Sequence, residues 1–546
     1  MNGREYRRLA HSARAASRIR ALPLACGASA FVLVLAVWGS LRPVATGNDE
    51  SAYLLQARIF ASGHVVAPSP PLPEFFQQYH VFVKPVLAAK YPPGHSLLLT
   101  AGVWLGTPGL VPALLVGLSA AILCTLTRRL TDSATAALAV VLATTSDIAL
   151  RFDASYFSEI TTAALFVIGW GALFEYWQSG RRRWLVLYAA SVAWGAITRP
   201  VTMLAYAAPS AICAVLAVRR HRSWRDILPA LVAGVALFSI LPLWNAQVVG
   251  DWRTLPQSVY AREYMPSDRL GFGASPEAPA AQLTSEEEKA ADVVRRLHAA
   301  YTPAAVPSAA GARATNVIRG TWSYGGIPGL AILAAVAFLP VGISRLLIGT
   351  ILCVFVAYLT YAQDPEWTLY YLELEAPLAF LTAVGIYASS NWLSGAMARR
   401  WPRQSLNRRT LQRSVFALAA ACLVAPGLAR IAPYRRAHQA QRTYRDRFER
   451  LVAGLPAHPS IVFVQYAPGH GEERLVENVP DLSAARTWIV HDRGAEDARL
   501  LAAAPGRLAY LYREIRQGDS ISVSMEPLPA SEPRGNAERP SIHPQD

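Results

Sequence analysis

The stretch RRRWLVLYAASVAWGAITRPVTMLAYAAPSAICAVLAVRRHR, residues 181–222, decides the fold. Two apolar runs, 184–198 and 200–218, meet at Arg199-Pro200, and basic residues crowd both far ends. A membrane-crossing helix needs roughly 20 largely apolar residues, so the segment reads as two spans joined by a tight hairpin. Lysine and arginine collect on the cytoplasmic side of membrane proteins. Residues 181–183 and 219–222 are therefore expected inside, and Arg199 at the outer end.

The same pattern repeats outward along the chain. Candidate spans are 22–41, 108–127, 133–150, 160–176, 184–198, 200–218, 228–248, 325–343, 346–362, 374–394 and 414–432, about eleven in all. Arginines also gather before the first span (Arg4, Arg7, Arg8, Arg14, Arg18, Arg20), at Arg128-Arg129 and at Arg399-Arg400, always at alternate junctions. This makes 1–21 a cytoplasmic basic N-terminus and 22–432 a transmembrane domain. The loops at 42–107, 151–159, 250–324 and 363–373 then face outward, as does the C-terminus. One cluster resists the scheme: Arg435, Arg436, Arg442, Arg445, Arg447 and Arg450 follow the last span on the outer side. Either they dock on headgroups or on the protein, or the span count is off by one. The first span does not read as a cleaved signal, because Leu41-Arg42-Pro43 offers no small-residue cleavage site. No internal repeat of the kind found in inverted-repeat transporters stands out.

Composition agrees. Of 546 residues, 53% are hydrophobic and 16% charged, with a mean hydropathy of +0.24. A soluble chain carries about 25% charged residues, and lipid explains the shortfall. The net charge of +15 follows from the topology signal, since no nucleic-acid-binding motif accompanies it. Cys26, Cys124, Cys213, Cys353 and Cys422 all lie in apolar segments without a CxxC pair, which argues against a disulfide framework or a structural zinc site.

The tail differs. Residues 437–454 read as a helix; 460–466, 487–490, 508–512 and 521–525 read as strands, with a short helix over 497–504. Residues 433–530 are thus expected to form a small α/β domain, followed by a Pro-rich, disordered 531–546.

The candidate chemistry lies at span edges. After the first span comes Asn48-Asp49-Glu50-Ser51-Ala52-Tyr53-Leu54-Leu55-Gln56-Ala57-Arg58. Asn48 or Asp49 suits an N-cap and Gly63 a stop, so a helix is predicted over 50–62. Asp49 and Glu50 are then either capping and dipole-complementing acids or a catalytic pair above the membrane. Lys84-Pro85 and Lys90-Tyr91-Pro92-Pro93-Gly94-His95 follow. Pro92 steers Tyr91 away from helical backbone and Pro93 suits a first turn, so Lys90 precedes a helix N-terminus. A cation beside free N–H groups suits phosphate; a snorkelling interfacial lysine is the plain alternative. Glu159 opens the fourth span, and Arg199 stands between two spans. Tyr260, Tyr264 and Asp268 lie in the second long loop. Each has a plain reading too: helix-start acid, headgroup arginine, interfacial aromatic belt.

An acidic pair just after the first span, followed by a Lys-x-Pro-Pro stretch before the second, resembles the GT-C glycosyltransferases. That superfamily includes protein O-mannosyltransferases and lipid A aminoarabinose transferases. The segment 260–273, the Asp492-Arg493-Gly494 turn and Pro505-Gly506-Arg507-Leu508-Ala509-Tyr510 resemble uncharacterised bacterial members. The resemblance implies an all-α polytopic enzyme of a bacterial inner membrane, taking sugar from a polyprenyl-phosphate donor on the outer face, with inversion. The acceptor would be a lipid, a glycan or a protein. By the same resemblance Asp49 matches the catalytic acid, with Glu50 second, and Lys90 contacts the carrier phosphate. Lys84, Arg58 and Arg199 are further phosphate candidates, and Glu159, Tyr260, Tyr264 and Asp268 candidate pocket residues. Ala89 stands where some relatives carry an acid. No cofactor or metal is required, with a divalent cation left open, and no DxD pattern is present; Gly469, Gly471 and Gly494 belong to turns. Three rivals stay open, one of them a non-catalytic assembly protein in which the acidic pair is merely a cap. A transporter or flippase would place charges mid-span. A glycan ligase or polymerase would lean on arginine and histidine of the second loop: Arg253, Arg262, Arg269 and His298.

Overall fold

The computed structural model describes residues 21–40, 42–322, 326–400, 407–467, 474–518 and 520–528. The tail 531–546, almost all of the basic N-terminus, and the glycines Gly469 and Gly471 fall outside them.

Apolar runs become helices wherever the sequence led one to expect. They are α1 (Ala21–Trp38), α2 (Asn48–Ala61), α3 (Gly94–Trp104), α4 (Leu110–Leu130), α5 (Ser133–Thr145), α6 (Asp147–Phe152), α7 (Glu159–Ser179) and α8 (Arg182–Ala196). After these come α9 (Pro200–His221), α10 (Ile227–Phe238), α11 (Ile240–Val249), α12 (Pro256–Tyr264), α13 (Ser285–Ala300) and α14 (Val306–Trp322). The series closes with α15 (Gly326–Phe338), α16 (Val341–Tyr358), α17 (Glu375–Arg400) and α18 (Arg408–Ala453). Each of the eleven expected spans lies on a helix, but the count needs correcting. Among the described residues eight helices are long and apolar enough to cross a membrane, or nine if the pair Pro303–Trp322 and Gly326–Phe338, bent by 93°, is one span. Breaks explain the difference. The run 133–150 splits at Ser146, which caps α6 by accepting from Ala149 N–H at 3.0 Å, and α8 has only 15 residues. The chain is a multi-pass membrane protein.

Small residues let the helices approach. Gly27 of α1 faces Gly117 of α4 so closely that a Cβ on Gly27 would lie 2.7 Å from the Gly117 carbonyl oxygen. In lipid, where apolar burial does not drive helices together, such backbone proximity supplies the packing energy. The arginine-marked ends also cluster. Arg129 pairs with Glu175, and His221 Nε2 bonds the Trp177 carbonyl at 3.0 Å, so the ends of α4, α7 and α9 meet. The 184–218 hairpin forms as expected, turning through residues 197–199 between α8 and α9.

At the opposite end the loops fold onto one another. Strand β3 (Val86–Ala89) pairs antiparallel with β1 (Ala67–Pro68) and β2 (Val81–Phe82). Phe82 and Ala88 pack with Trp244, Tyr260 and Tyr264, joining the first loop to the second.

The expected boundary at 433 falls inside α18, which runs 46 residues without a break. The tail sheet follows: β4 (Ser460–Gln465), β5 (Thr487–His491), β6 (Leu508–Gln517) and β7 (Ser520–Pro527), in the order β5-β4-β6-β7. β4 is parallel to β5 and β6, and β7 is antiparallel to β6; the short helix α19 (Asp497–Ala503) lies between β5 and β6 in sequence. This unit sits on the first loop. Phe75 and Phe76 enter its core beside Phe463 and Trp488, each burial stabilising by ~1.5–3 kcal/mol. The resistant arginine cluster docks in part on protein: Arg445 reaches Glu477 at 3.0 Å and the Arg474 carbonyl at 2.9 Å.

Candidate active site

A cavity of about 460 Å³ opens where the loops meet the bundle, lined by Asp49, His80, Lys90, Tyr91, Glu159, Arg199 and Asp268 among others. Five separated stretches supply these charges, and local rules place each one.

Asp49 stands in the first turn of α2. The cap is Gly47, with no side-chain capping bond, so neither acid is spent as an N-cap. Asp49 Oδ1 receives His80 Nε2 at 2.9 Å and a short bond from the Tyr91 hydroxyl. Among the described residues no hydrogen bond engages Oδ2. Burial pushes the Asp49 carboxyl up, but His80, Tyr91 and Lys90 outweigh it and hold the group well below the usual carboxylate range. Glu50, its neighbour, turns away from the cavity and is fully buried. Its oxygens accept from Thr46 Oγ1 at 2.7 Å and Tyr156 N–H at 3.1 Å. Burial dominates there and pushes the carboxyl up to about 7.

Lys90 is held by the turn that precedes α3. Gly94 N–H donates to the Ile197 carbonyl at 2.8 Å and Trp194 Nε1 donates to the Gly94 carbonyl at 3.1 Å. The Lys90 turn is thereby pinned to the Arg199 hairpin. Lys90 Nζ lies 3.6 Å from Asp268 Oδ2 and 4.9 Å from the Tyr260 ring centre, at only 3% exposure. Asp268 is fixed from its other oxygen by the Tyr361 hydroxyl at 2.6 Å.

Arg199 forms the densest knot. Its Nη1 meets Glu159 Oε1 at 2.6 Å, its Nε lies 3.4 Å from Glu373 Oε1, and Nη2 donates to the Tyr358 hydroxyl at 2.6 Å. Glu373 is in turn tied by Thr162 Oγ1 at 2.6 Å. A guanidinium between two carboxylates stays charged and rigid, with all three of its nitrogens already engaged by protein groups.

The structure thus brings Asp49, Lys90, Glu159, Arg199 and Asp268 together. It places the others elsewhere. Arg58 follows Asp49 by nine residues, about two and a half turns, so it faces away from the cavity toward Glu477 of the tail unit, 3.9 Å distant. Lys84 is exposed between β2 and β3 and lines no part of the cavity. Tyr260 and Tyr264 stack at 4.3 Å behind Lys90 as packing, outside the lining. Sequence reading missed His80, Tyr358, Tyr370 and Glu373. For Glu373 a signal existed, since an acid at the head of an apolar run is costly unless used. His80 carried none.

A family model described as dolichyl-phosphate-mannose-protein mannosyltransferase matches residues 92–245. No curated protein matches the chain in sequence. Among solved structures, ArnT from Cupriavidus metallidurans bound to undecaprenyl phosphate superposes with a TM-score of 0.55 at 13% identity, over 93% of this chain and 98% of that one. Its apo form gives 0.53 at 15% identity, over 91% and 97%. The chain has the GT-C fold. An oligosaccharyltransferase from Archaeoglobus fulgidus aligns more loosely, at a TM-score of 0.47 and 11% identity over 91% and 70%. The family match covers the Arg199 side of this cavity and begins two residues after Lys90, so Asp49 and His80 lie beyond it.

Proposed function

We propose that this GT-C chain is a glycosyltransferase that moves a sugar from a polyprenyl-phosphate carrier to an acceptor hydroxyl, on the outer face of the plasma membrane and with inversion. The observation that carries the reading is the carboxylate of Asp49, with one oxygen unengaged among the described residues, sharing a cavity at the end of the spans with two cations, the buried Lys90 and the part-buried Arg199. The family description and the undecaprenyl phosphate held by one ArnT structure support the lipid-phosphate donor.

The geometry supports the following step. Asp49 Oδ2 takes the proton of the acceptor hydroxyl as that oxygen attacks the anomeric carbon. The anomeric C–O bond to phosphate breaks, and the electron pair leaves with the polyprenyl phosphate. Lys90 and Arg199 hold that phosphate, exchanging part of their contact with Asp268 and Glu159 for it. General-base help contributes ~10²–10⁴-fold, and fixed charge near a leaving anion ~10²–10³-fold. Arg253, Arg262, Arg269 and His298 stay outside the cavity lining, which weighs against the ligase reading. The acidic and basic groups gather at one end of the bundle, which weighs against transport. The outward direction rests on the arginine-rich ends of α4, α8, α9 and α17 lying opposite the cavity.

Purified chain in liposomes, given a labelled polyprenyl-phosphate sugar and a mixed envelope extract as acceptor, tests this. Release of free polyprenyl phosphate with label in an acceptor is expected. Intact donor on both leaflets after prolonged incubation would refute transfer, and donor moving between leaflets unchanged would favour a flippase.

A further inference from the structure

Between Leu72 and His80, both with left-handed backbone (φ 49° and 67°), the first loop leaves the bundle, enters the tail unit and returns. Phe75 and Phe76 are 0% and 2% exposed, packed against Ile461, Phe463, Trp488 and Leu500. Arg493 covers the Phe75 ring at 5.5 Å, and Arg499 pairs with Glu74 at 3.3 Å. Gln77 is held on both sides, its carbonyl by His491 Nε2 at 2.8 Å and its amide by Glu287 at 2.7 Å. Four residues after Phe76, the His80 N–H donates to the Tyr260 hydroxyl at 2.9 Å, and its Nε2 reaches Asp49 at 2.9 Å.

The tautomer follows from the partners. Among the described residues, Nδ1 of His80 is buried without a hydrogen-bond partner. A proton there would be an unsatisfied buried donor, so the proton is assigned to Nε2 and is donated to Asp49. His80 is therefore not the group that accepts the acceptor's proton. Its bond and that of Tyr91 both fall on Oδ1, which leaves Oδ2 for the reaction.

We propose that the tail unit and His80 form a positioning device for Asp49: the unit grips Phe75 and Phe76, and the arm 77–80 delivers the Nε2–H that aims the carboxylate. This rests on the glycosyl-transfer reading above and assigns the tail unit a role in it. The groups facing Asp49 are Tyr79 and His80 from the arm, Lys90 and Tyr91 from the turn before α3, and Tyr53 from α2 itself. Glu159 from α7 and Tyr370 from the turn Thr368–Leu374 face it as well. Lys90, His80 and Tyr91 favour the ionised form, and Glu159 opposes it.

The test is kcat, donor KM and their pH profiles for the full chain in liposomes, with wild type, His80→Ala, His80→Gln and Phe76→Ala at matched abundance. His80→Ala is expected to lower kcat roughly tenfold to a hundredfold, to leave donor KM within about twofold, and to move the acidic limb to higher pH. His80→Gln keeps an N–H donor at the Nε2 position and should restore most of kcat. Phe76→Ala should move the limb the same way, and add nothing in the His80→Ala background. Wild-type kcat and limb in His80→Ala would overturn the proposal, as would a glutamine no better than alanine. If His80→Ala does not accumulate, an unmoved limb in Phe76→Ala overturns it. A wild-type chain that transfers no sugar overturns the functional reading and the positioning role together. Transfer by wild type with an unaffected His80→Ala overturns the positioning role alone.

Discussion

Asp49 and Glu50 are adjacent in sequence and opposite in circumstance. Asp49 faces the cavity among donors; Glu50 points into the protein, where burial lifts its carboxyl to about 7. An acid whose folded pKa is raised binds its proton more tightly in the native state, so native stability falls as pH climbs from about 4.5 toward 7 and levels off above. In Glu50→Gln that part of the decline should vanish, with transfer retained. Thermal midpoints of both proteins across this pH range check it, and equal slopes would refute it. Arg199 is expected to behave differently. Arg199→Ala leaves Glu159 and Glu373 facing each other and should cost ~3–5 kcal/mol of stability. Arg199→Lys keeps the charge and fold but loses the fork, so donor KM should rise while the melting point changes little. A lysine variant with wild-type KM would mean that Arg199 does not touch the phosphate. Asp49, Lys90, Glu159, Arg199 and Asp268 were legible in the sequence, most of them as charges at the edges of apolar runs. His80 was not, because it arrives through an aperiodic loop that no spacing rule reaches.

At the scale of elements, the site depends on two turns pressed together. The bond from Gly94 N–H to the Ile197 carbonyl leaves no space for a side chain: a Cβ on Gly94 would sit 2.8 Å from that oxygen. Gly94→Ala should therefore separate Lys90 from Arg199 and reduce transfer at least tenfold, because small displacements of positioned groups cost ~10²-fold. Chain abundance should fall less than activity, since α3 can shift on its loop. Transfer at the wild-type rate would show that the two turns need not touch. Pro92-Pro93 foretold the start of α3, and Arg199-Pro200 the hairpin. The α5–α6 break was hidden, because a Ser-Asp pair inside an apolar run reads equally well as tolerated polarity. Arg58 does not reach the cavity for a geometric reason, since nine residues after Asp49 it lies on another face of α2.

For the whole molecule, the α/β tail and the loops 42–107 and 250–324 form one body at the cavity end, opposite the arginine-rich ends. Cysteines introduced at Val479, 50% exposed on the tail unit, and at Trp224, 55% exposed after α9, should label from opposite sides of the membrane, the first from outside. Labelling of both from one side would contradict the topology. The layout of helices and the tail sheet was legible from the apolar runs, but the continuity of α18 was not, since Pro433 between its apolar inner half and its polar outer half reads as a stop and is carried inside the helix. The most direct test of the central claim is single-turnover transfer from a polyprenyl-phosphate sugar by wild type, Asp49→Asn and Glu50→Gln at matched abundance. We expect Asp49→Asn to lose ~10²–10⁴-fold in rate with donor binding intact and Glu50→Gln to stay near wild type; an Asp49→Asn chain that transfers at the wild-type rate would contradict it.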